Sequence, residues 1–427
     1  MTLTFPMCSR PLNGVVVVPG DKSLAHRAAL FAALAEGESV VSNYPDSGVT
    51  RAMRGALASL GVDSSLEDGV LRVKGNGFRP FPNRNAVAYC GNSATTIRLL
   101  AGAVAGTGSE VVLDGSEGLR KRPMNRIADP LRQMGAAIET TEGHAPMRIV
   151  PGHDAVLTPI EYTLPVASAQ VLSCLQLAAL GAKGESRFTA PGPVRDHTVR
   201  MLASMGAPIS AHGNESTVSP LGKRALRPLE AALPGDISSA AFLFAAAAMV
   251  PGSRVTVTGV GVNPTRTGVL DVLAKMGSGI SLANERMEMG EPVADVTLES
   301  NGIHGIAIDG DLVVRSIDEF PAIAAVAAFA EGVTEVHGAK ELRYKETDRI
   351  AAIVAQLRAL GVQAEEFDDG FAVVGGTLKG GTARANGDHR LAMSMSLCGL
   401  RAPVAVEGAE ILNESFPDFE MTMRSLF

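Results

Sequence analysis

A pattern of apolar positions recurs along the chain with a period of about seventy residues. A Leu-rich phrase ends on a glycine five times, at Gly61, Gly135, Gly206, Gly277 and Gly361. Glycine adopts the left-handed conformation after a helix at little cost, so each phrase is typical of a last helical turn. The pattern therefore predicts five helices that end at these glycines.

Upstream of each helix end, a polar residue precedes a stretch rich in Ala and Leu. These polar residues are Asp21, Asn92, Ser168, Asp236, Asp318 and Asp388. Asp, Asn and Ser are the residue types that cap helix N-termini, so each position predicts a helix start. The stretches after Ser168, Asp236 and Asp318 are apolar on nearly all sides, which predicts deeply buried helices.

Short Val-rich runs between the helices predict strands, at residues 15–18, 111–113, 255–257 and 371–374. Each repeat is then an α/β module with two helices and several strands, and six modules account for the 427 residues. The sixth module is short, and we expect residues 1–20 to complete it. The predicted fold is α/β (α+β), with a first lobe at 21–234 and a second lobe at 1–20 plus 235–427, each of three modules. A solenoid of stacked modules without an active site is the alternative.

Composition narrows the class of protein. The chain has 46 Gly, no Trp and only 4% aromatic residues, so its core must consist of Ala, Val, Leu, Ile and Met with closely packed backbones. The net charge of −7 argues against a general nucleic-acid binder, although it permits a local basic pocket. The longest apolar run, at 240–250, is too short for a bilayer, which requires about 20 residues.

The four cysteines lie far apart in the sequence and indicate neither a disulfide framework nor a metal site. We therefore expect a cytoplasmic protein without a membrane segment.

Cations accompany several of the predicted helix starts. Lys22 and Ser23 follow Asp21, and Arg27 lies one helical turn further on. Helix N-termini bind anions, and a P-loop is excluded because Asp21 precedes the lysine and the glycine spacing is wrong. Any one such cluster is more often a solvated surface or a simple cap. Three-fold packing of the modules would bring the clusters of each lobe to one face. The two faces, one from each lobe, would then be suited to binding phosphate and carboxylate groups. Asp318 and Glu346 are the acid–base candidates in such a site.

These clusters also follow one another in an order that resembles a known family. The motifs are Pro19-Gly20-Asp21-Lys22-Ser23 with His26-Arg27, Gly91-Asn92-Ser93-Ala94-Thr95, Arg122-Pro123, Ala167-Ser168-Ala169-Gln170, Arg195-Asp196-His197-Thr198, Asp318-Glu319-Phe320-Pro321, Arg343-Tyr344-Lys345-Glu346-Thr347-Asp348-Arg349 and Asp388-His389-Arg390. The set closely resembles the 5-enolpyruvylshikimate-3-phosphate synthases, from Gly14 to Phe419.

The resemblance implies two lobes that close on their substrates and an addition–elimination reaction. The enolpyruvyl group of phosphoenolpyruvate passes to the 5-hydroxyl of shikimate 3-phosphate, and phosphate is released. It implies no metal or organic cofactor, and it implies the small molecules shikimate 3-phosphate and phosphoenolpyruvate as partners. From the charge and the apolar runs we expect no nucleic acid and no membrane as partners, and we expect a monomer because nothing in the sequence demands an oligomer.

The resemblance also assigns roles residue by residue. Shikimate 3-phosphate would be held by Lys22, Ser23, Arg27, Ser168, Ala169, Gln170, Arg195, Asp318 and Lys345. Phosphoenolpyruvate would be held by Lys22, Ala94, Arg122, Gln170, Arg349 and Arg390. The catalytic residues would be Asp318 as proton acceptor, Glu346 as proton donor, and Lys22.

Three positions depart from the common family pattern. Glu414 stands where many members have a lysine that helps to bind phosphoenolpyruvate, so we leave it out of the site. Ala94 and Leu99 replace a glycine and a proline, which resembles the glyphosate-tolerant subclass. We expect the Ala94 methyl group to crowd an inhibitor longer than phosphoenolpyruvate.

Two other functions share part of this pattern. A UDP-N-acetylglucosamine enolpyruvyl transferase is the nearest, but that family usually has a reactive cysteine in the loop at 115–123, where this chain has none. A non-catalytic anion-binding repeat protein would not need Asp318 and Glu346 among so many cations.

Overall fold

The computed structural model describes residues 1–152 and 156–427. They form two compact lobes. The first lobe is Gly20–Leu233 together with Met287–Glu291, and the second is Met1–Pro19, Pro234–Arg286 and Pro292–Phe427. The lobes predicted from the sequence, 21–234 and 1–20 plus 235–427, stay a prediction, and they did not include Met287–Glu291 in the first lobe.

The strands of the described residues are short and are numbered in chain order. They are β1 (Thr2–Thr4), β2 (Asn13–Val16), β3 (Glu36–Ser42), β4 (Asp63–Glu67), β5 (Val70–Asn76), β6 (Ala86–Tyr89), β7 (Val111–Asp114), β8 (Ala137–Thr141), β9 (His144–Val150), β10 (Glu161–Thr163), β11 (Ser186–Thr189), β12 (Ile209–His212), β13 (Glu215–Val218), β14 (Glu230–Ala232), β15 (Arg254–Gly261), β16 (Gly279–Glu288), β17 (Glu291–Glu299), β18 (Ala307–Ile308), β19 (Val333–Val336), β20 (Gln363–Phe367), β21 (Gly370–Val374), β22 (Gly381–Arg384) and β23 (Val404–Glu407).

The α-helices alternate with these strands. They are α1 (Lys22–Leu34), α2 (Gly48–Ser59), α3 (Ala94–Thr107), α4 (Glu117–Arg120), α5 (Asn125–Gln133), α6 (Ala169–Ala179), α7 (His197–Ser204), α8 (Ile237–Met249), α9 (Gly268–Lys275), α10 (Gly310–Arg315), α11 (Phe320–Ala327), α12 (Arg349–Ala359), α13 (His389–Leu397) and α14 (Phe419–Arg424). Within the described part of the chain, none of them is long and apolar enough to cross a membrane.

The sheets repeat one strand order, which explains the period in the sequence. In β6-β7-β9-β8 the first two strands are parallel and the other pairs are antiparallel. The same order recurs in the first lobe as β14-β3-β5-β4 and β10-β11-β13-β12, and in the second lobe as β2-β15-β17-β16 and β18-β19-β21-β20. A three-stranded sheet, β22-β23-β1, completes the second lobe.

The N-terminal residues contribute strands to two different modules. Strand β1 pairs antiparallel with β23, with Thr2 opposite Glu407, so it completes the sixth module as expected. Strand β2 pairs parallel with β15, with Asn13 opposite Arg254. The expectation that all of residues 1–20 join the sixth module is therefore wrong for β2, which belongs to the fourth.

The helix boundaries follow the predicted caps closely. Asp21, Ser168, Asp236 and Asp388 each accept a hydrogen bond from a backbone N–H of the first turn, as expected of an N-cap. Two predicted starts are off by one residue, because Ser93 rather than Asn92 caps α3 and Glu319 rather than Asp318 precedes α11. All five predicted end glycines have φ between 86° and 116°.

The centre of each lobe is a set of buried helices built from small residues. Every residue of α8 is buried, as the apolar pattern predicted. In the first lobe α3 and α6 approach so closely that a Cβ added at Gly102 would overlap the carbonyl oxygen of Cys174. A high content of Ala and Gly, with few aromatic rings, is what such close packing of helices requires.

Candidate active site

In the first lobe, the starts of α1 and α6 are held together by Arg27. This side chain is buried, and its Nη2 donates to the Ser173 hydroxyl at 2.9 Å. Its Nε donates to Thr198 Oγ1 at 2.8 Å, and its Nη1 donates to the Ser23 carbonyl at 3.0 Å. The guanidinium is therefore fixed at the point where α1, α6 and α7 meet, with Lys22 and Ser23 at the adjacent N-terminus of α1.

A buried histidine links α1 to α3. His26 Nδ1 lies 2.7 Å from the Lys22 carbonyl and Nε2 lies 3.2 Å from Ser93 Oγ. Burial lowers the pKa of His26 to about 4, and the nearby Lys22 and Arg27 charges add to the shift. The ring is therefore neutral near pH 7, with Nδ1–H donating to the carbonyl and Nε2 accepting from the serine hydroxyl. This contact places the N-terminus of α1 beside that of α3, where Ala94 is the first residue.

The start of α6 is tied to α3 through Gln170. Its Nε2 donates to Thr95 Oγ1 at 3.0 Å, and its Oε1 accepts from Arg98 Nη1 at 2.5 Å. Arg98 also donates to the Pro123 carbonyl at 3.4 Å, which brings the segment after Arg122 to the same place. Arg98 was not among the predicted site residues, although its position four residues after Ala94 puts it on the same face of the helix.

The first lobe thus gathers most of its predicted site residues at one set of helix starts. Ser168 caps α6 and is followed by Ala169, and Arg195 precedes α7, whose Thr198 contacts Arg27. Lys22, Arg122 and Arg195 are half-buried at these helix starts. The first turn of a helix presents N–H groups without intrahelical partners, and three such turns next to these cations are suited to binding a phosphate or carboxylate.

In the second lobe, Arg349 is the centre of the predicted site. The guanidinium is 1% exposed and contacts three carboxylates: Asp388 at 2.7 Å, Glu346 at 2.7 Å and Asp318 at 3.7 Å. Burial opposes its charge, but Glu346 and Asp388 outweigh burial and raise the pKa of Arg349 above its usual value. One permanently charged group therefore holds both predicted acid–base residues, Asp318 and Glu346.

Two further cations lie against Asp318. Lys345 Nζ is 3.3 Å from its carboxylate, and Arg390 Nη1 donates to its backbone carbonyl at 3.0 Å. All five second-lobe residues predicted for the site, Asp318, Lys345, Glu346, Arg349 and Arg390, are thus joined directly or through a shared partner.

A buried polar network behind Arg390 was not foreseen. Glu319, fully buried, accepts from Arg390 Nη1 at 3.5 Å and from the Ser238 hydroxyl at the start of α8. Arg266 in turn donates to Ser238 Oγ at 2.8 Å. From the sequence, Glu319 was named only as part of the motif that begins at Asp318. Its neighbour Asp318 and its place before a buried helix were the signals that it faces polar partners.

Comparison with known proteins fits this arrangement. The family profile described as EPSP synthase (3-phosphoshikimate 1-carboxyvinyltransferase) matches residues 7–423.

The chain belongs to the EPSP synthase family.

Relatives named 3-phosphoshikimate 1-carboxyvinyltransferase from Roseiflexus castenholzii and Syntrophomonas wolfei are 45% and 44% identical, over 98% and 96% of both chains. The structure of EPSP synthase from Acinetobacter baumannii is similar with a TM-score of 0.91 and 38% identity, covering 100% of this chain and 98% of that one. The enolpyruvyl transferase NikO from Streptomyces tendae shares the fold, with a TM-score of 0.76 at 19% identity over 99% of this chain and 96% of that one. The predicted family, the α/β enolpyruvyl transferase fold and the transferase activity of the shikimate pathway are confirmed.

The environment of the cysteines is relevant to the alternative function, UDP-N-acetylglucosamine enolpyruvyl transfer, because enzymes of that family usually have a reactive cysteine. Cys90, Cys174 and Cys398 are buried thiols, and burial raises the pKa of Cys90 and of Cys398 to about 12. A thiolate nucleophile is therefore disfavoured at these positions. Across residues 1–152 and 156–427, no group of three His, Cys, Asp or Glu side chains could hold a metal ion.

The residues that depart from the common EPSP synthase pattern lie in two settings. Glu414 is exposed at the end of a 3₁₀ turn, Ala409–Glu414. Ala94 and Leu99 lie within α3, where Leu99 is fully buried and Ala94 is 6% exposed. The glyphosate-tolerant subclass stays a prediction.

Proposed function

We propose that this chain catalyses transfer of the enolpyruvyl group of phosphoenolpyruvate to the 5-hydroxyl of shikimate 3-phosphate, with the residues gathered at the helix starts as its active site. Membership of the EPSP synthase family supports the reaction, and the contacts within each lobe support the residue assignments. The observation that carries the chemistry is that Arg349 holds Asp318 and Glu346 on a single guanidinium.

Shikimate 3-phosphate is assigned to the first-lobe set around Arg27, namely Lys22, Ser23, Ser168, Ala169, Gln170 and Arg195, with Asp318 and Lys345 from the second lobe. A phosphate monoester needs several N–H donors with fixed geometry, and Arg27 is fixed by three hydrogen bonds.

Phosphoenolpyruvate is assigned to Lys22, Ala94 through its backbone N–H, Arg122, Gln170, Arg349 and Arg390. These residues provide several positive charges for a small anion that carries both a carboxylate and a phosphate, and two of the arginines are almost fully buried. Buried guanidinium groups bind carboxylate and phosphate in fixed orientations, which sets the position of the reacting carbon.

The reaction then requires one proton acceptor and one proton donor. As the 5-hydroxyl oxygen bonds to C2 of phosphoenolpyruvate, Asp318 takes the hydroxyl proton and Glu346 gives a proton to C3, which becomes a methyl group. Positive character develops at C2 in the transition state, and the two carboxylates stabilise it. Glu346, now a carboxylate, then takes back a methyl proton as the C2–O bond to phosphate breaks, which forms the enol ether. The proton held by Asp318 leaves with the released phosphate and restores both carboxyl groups.

Phosphate release tests the proposal. The purified chain is mixed with phosphoenolpyruvate and either shikimate 3-phosphate or UDP-N-acetylglucosamine. We expect release only with shikimate 3-phosphate; release only with the sugar nucleotide, or with neither, contradicts the assignment.

Isosteric variants test the residue roles. Asp318→Asn and Glu346→Gln should each lower kcat by about 10²-fold or more, the low end for general acid–base groups, with unfolding little changed. Glu365→Gln, an exposed carboxylate of β20 in the same lobe, is the matched control. Near-normal turnover of both site variants would show that the roles are misassigned.

A further inference from the structure

The tip of the β16–β17 hairpin is part of the first lobe, whereas both strands belong to a sheet of the second. Its two central residues, Met289 and Gly290, have φ of +51° and +79°. Two-residue hairpin turns with positive φ at both positions strongly favour Asn-Gly or Asp-Gly. A methionine at the first position is unfavourable for the backbone, so its side chain must supply a compensating contact.

That contact is with the first-lobe core. Met289 is 9% exposed and is part of the hydrophobic cluster of that lobe. Burying a methionine side chain contributes about 1.5–3 kcal/mol, which offsets a left-handed backbone cost of roughly 1–2 kcal/mol. The unfavourable turn residue is therefore explained by anchoring of the hairpin tip.

The tip lies directly on α7. A Cβ added at Gly290 would stand 2.5 Å from the Arg200 carbonyl oxygen, so only glycine permits this approach. The next residue, Glu291, places its Oε1 2.9 Å from Nδ1 of His197, and the two side chains are 1% and 3% exposed. A buried carboxylate thus holds the first residue of α7.

The start of α7 is also where the proposed phosphate site is assembled. Arg195 is two residues before His197, and Thr198 immediately after it accepts from Arg27 Nε at 2.8 Å. A rotation of His197 would shift both neighbours, because all three lie within one turn of backbone.

We propose that Glu291 is a positioning residue for shikimate 3-phosphate binding, acting through His197 on Arg195, Thr198 and Arg27. Glu291 does not touch the substrate. It fixes the end of α7 from which Arg195 projects and against which the Arg27 guanidinium is hydrogen-bonded. This inference rests on the proposed assignment of Arg27 and Arg195 to shikimate 3-phosphate.

Steady-state kinetics separate this role from a general structural one. In Glu291→Ala we expect the KM for shikimate 3-phosphate to rise about tenfold, whereas kcat and the KM for phosphoenolpyruvate change less than about twofold. Glu291→Gln keeps a buried acceptor for His197 and should recover most of the loss. Glu285→Gln, on the exposed part of β16, is the matched control and should leave all three constants unchanged.

A double-mutant cycle tests whether the effect passes through His197. The pair Glu291→Ala and His197→Ala should raise the KM for shikimate 3-phosphate no more than the stronger single variant does. Additive effects, or an equal loss in kcat and in both KM values, would overturn the inference. If Glu291→Ala does not fold, Glu291→Met, which keeps the side-chain volume but removes the acceptor, carries the same test with His197→Asn.

Arg195→Ala distinguishes the failure of this inference from failure of the proposed site. If Arg195→Ala leaves the KM for shikimate 3-phosphate unchanged, the site assignment is wrong, and the inference fails with it. If Arg195→Ala raises that KM while Glu291→Ala and Glu291→Gln do not, the assignment stands and the positioning role is refuted.

Discussion

Removing the negative charge of Asp388 should weaken the second lobe strongly. The Asp388 and Arg349 side chains are 0% and 1% exposed and lie 2.7 Å apart. In Asp388→Asn an amide would oppose the guanidinium in a site closed to water, and loss of one partner of a buried pair costs about 3–5 kcal/mol. Arg349 keeps Glu346 and Asp318, and asparagine still caps a helix, so we expect the low end of that range.

Hydrogen exchange resolved by peptide is the suitable assay, because a two-lobed chain need not unfold in one step. A loss of about 3 kcal/mol corresponds to roughly 150-fold faster exchange of the α13 amides. The amides of α3 in the first lobe serve as an internal reference. Glu346→Gln removes a carboxylate from the same guanidinium, but that carboxylate is 35% exposed, so its effect should stay below about 1 kcal/mol. Equal exchange in the two variants would refute the argument from burial.

Three further predictions concern the first lobe. The folded-state pKa of His26, about 4, lies below its ordinary value of 6.5, so the unfolded chain takes up the proton first as the pH falls. The free energy of unfolding should therefore fall by roughly 3 kcal/mol as the pH drops from 6.5 to 4. If urea unfolding of His26→Asn shows the same dependence on pH as the unchanged protein, this prediction is contradicted. Gly102→Ala should destabilise the first lobe by roughly 1–3 kcal/mol, because the new Cβ overlaps the Cys174 carbonyl. Gly55→Ala is the control, because its new Cβ has no neighbour within 4 Å. Equal unfolding midpoints for the two variants would refute the packing argument. Ala94→Gly should increase inhibition by glyphosate, and equal inhibition constants for the two proteins would reject the steric hypothesis.

Features set by local chemistry could be predicted from the sequence. The glycine at each helix end and the Asp or Ser at each helix start act within one turn of backbone, so Gly61 and Asp388 could be identified without a structure. The period of about seventy residues predicted the modules, because each module must bury the same apolar faces of its helices and sheet. The family motifs then indicated which of the many surface cations belong to the site.

Contacts between distant segments could not be predicted in the same way. Nothing around Met289 marks it as a core residue of the first lobe, because its burial depends on a partner surface far away in sequence. Arg98 and Glu319 look like an ordinary helix cation and an ordinary cap, and only the packing of neighbouring helices turns them toward Gln170 and Arg390. The assignment of β2 to the fourth module depends likewise on pairing across the chain.

The pairing of β1 with β23 has a consequence for how the protein is made. Thr2 is synthesised about 400 residues before its partner Glu407, which at 5–20 residues per second is a delay of roughly 20–80 s. During that interval the N-terminal strands have open edges, which are prone to pair with other chains.

Circular permutation of the gene would shorten this delay. The Asn13 N–H donates to the Leu426 carbonyl at 3.1 Å, so the N-terminal strands lie beside the end of the second lobe. In a circular permutant with residues 1–19 moved behind Phe427, the second lobe would be translated as one uninterrupted stretch. The first lobe would still wait for Met289, which makes that hairpin tip the last piece of its core to be translated.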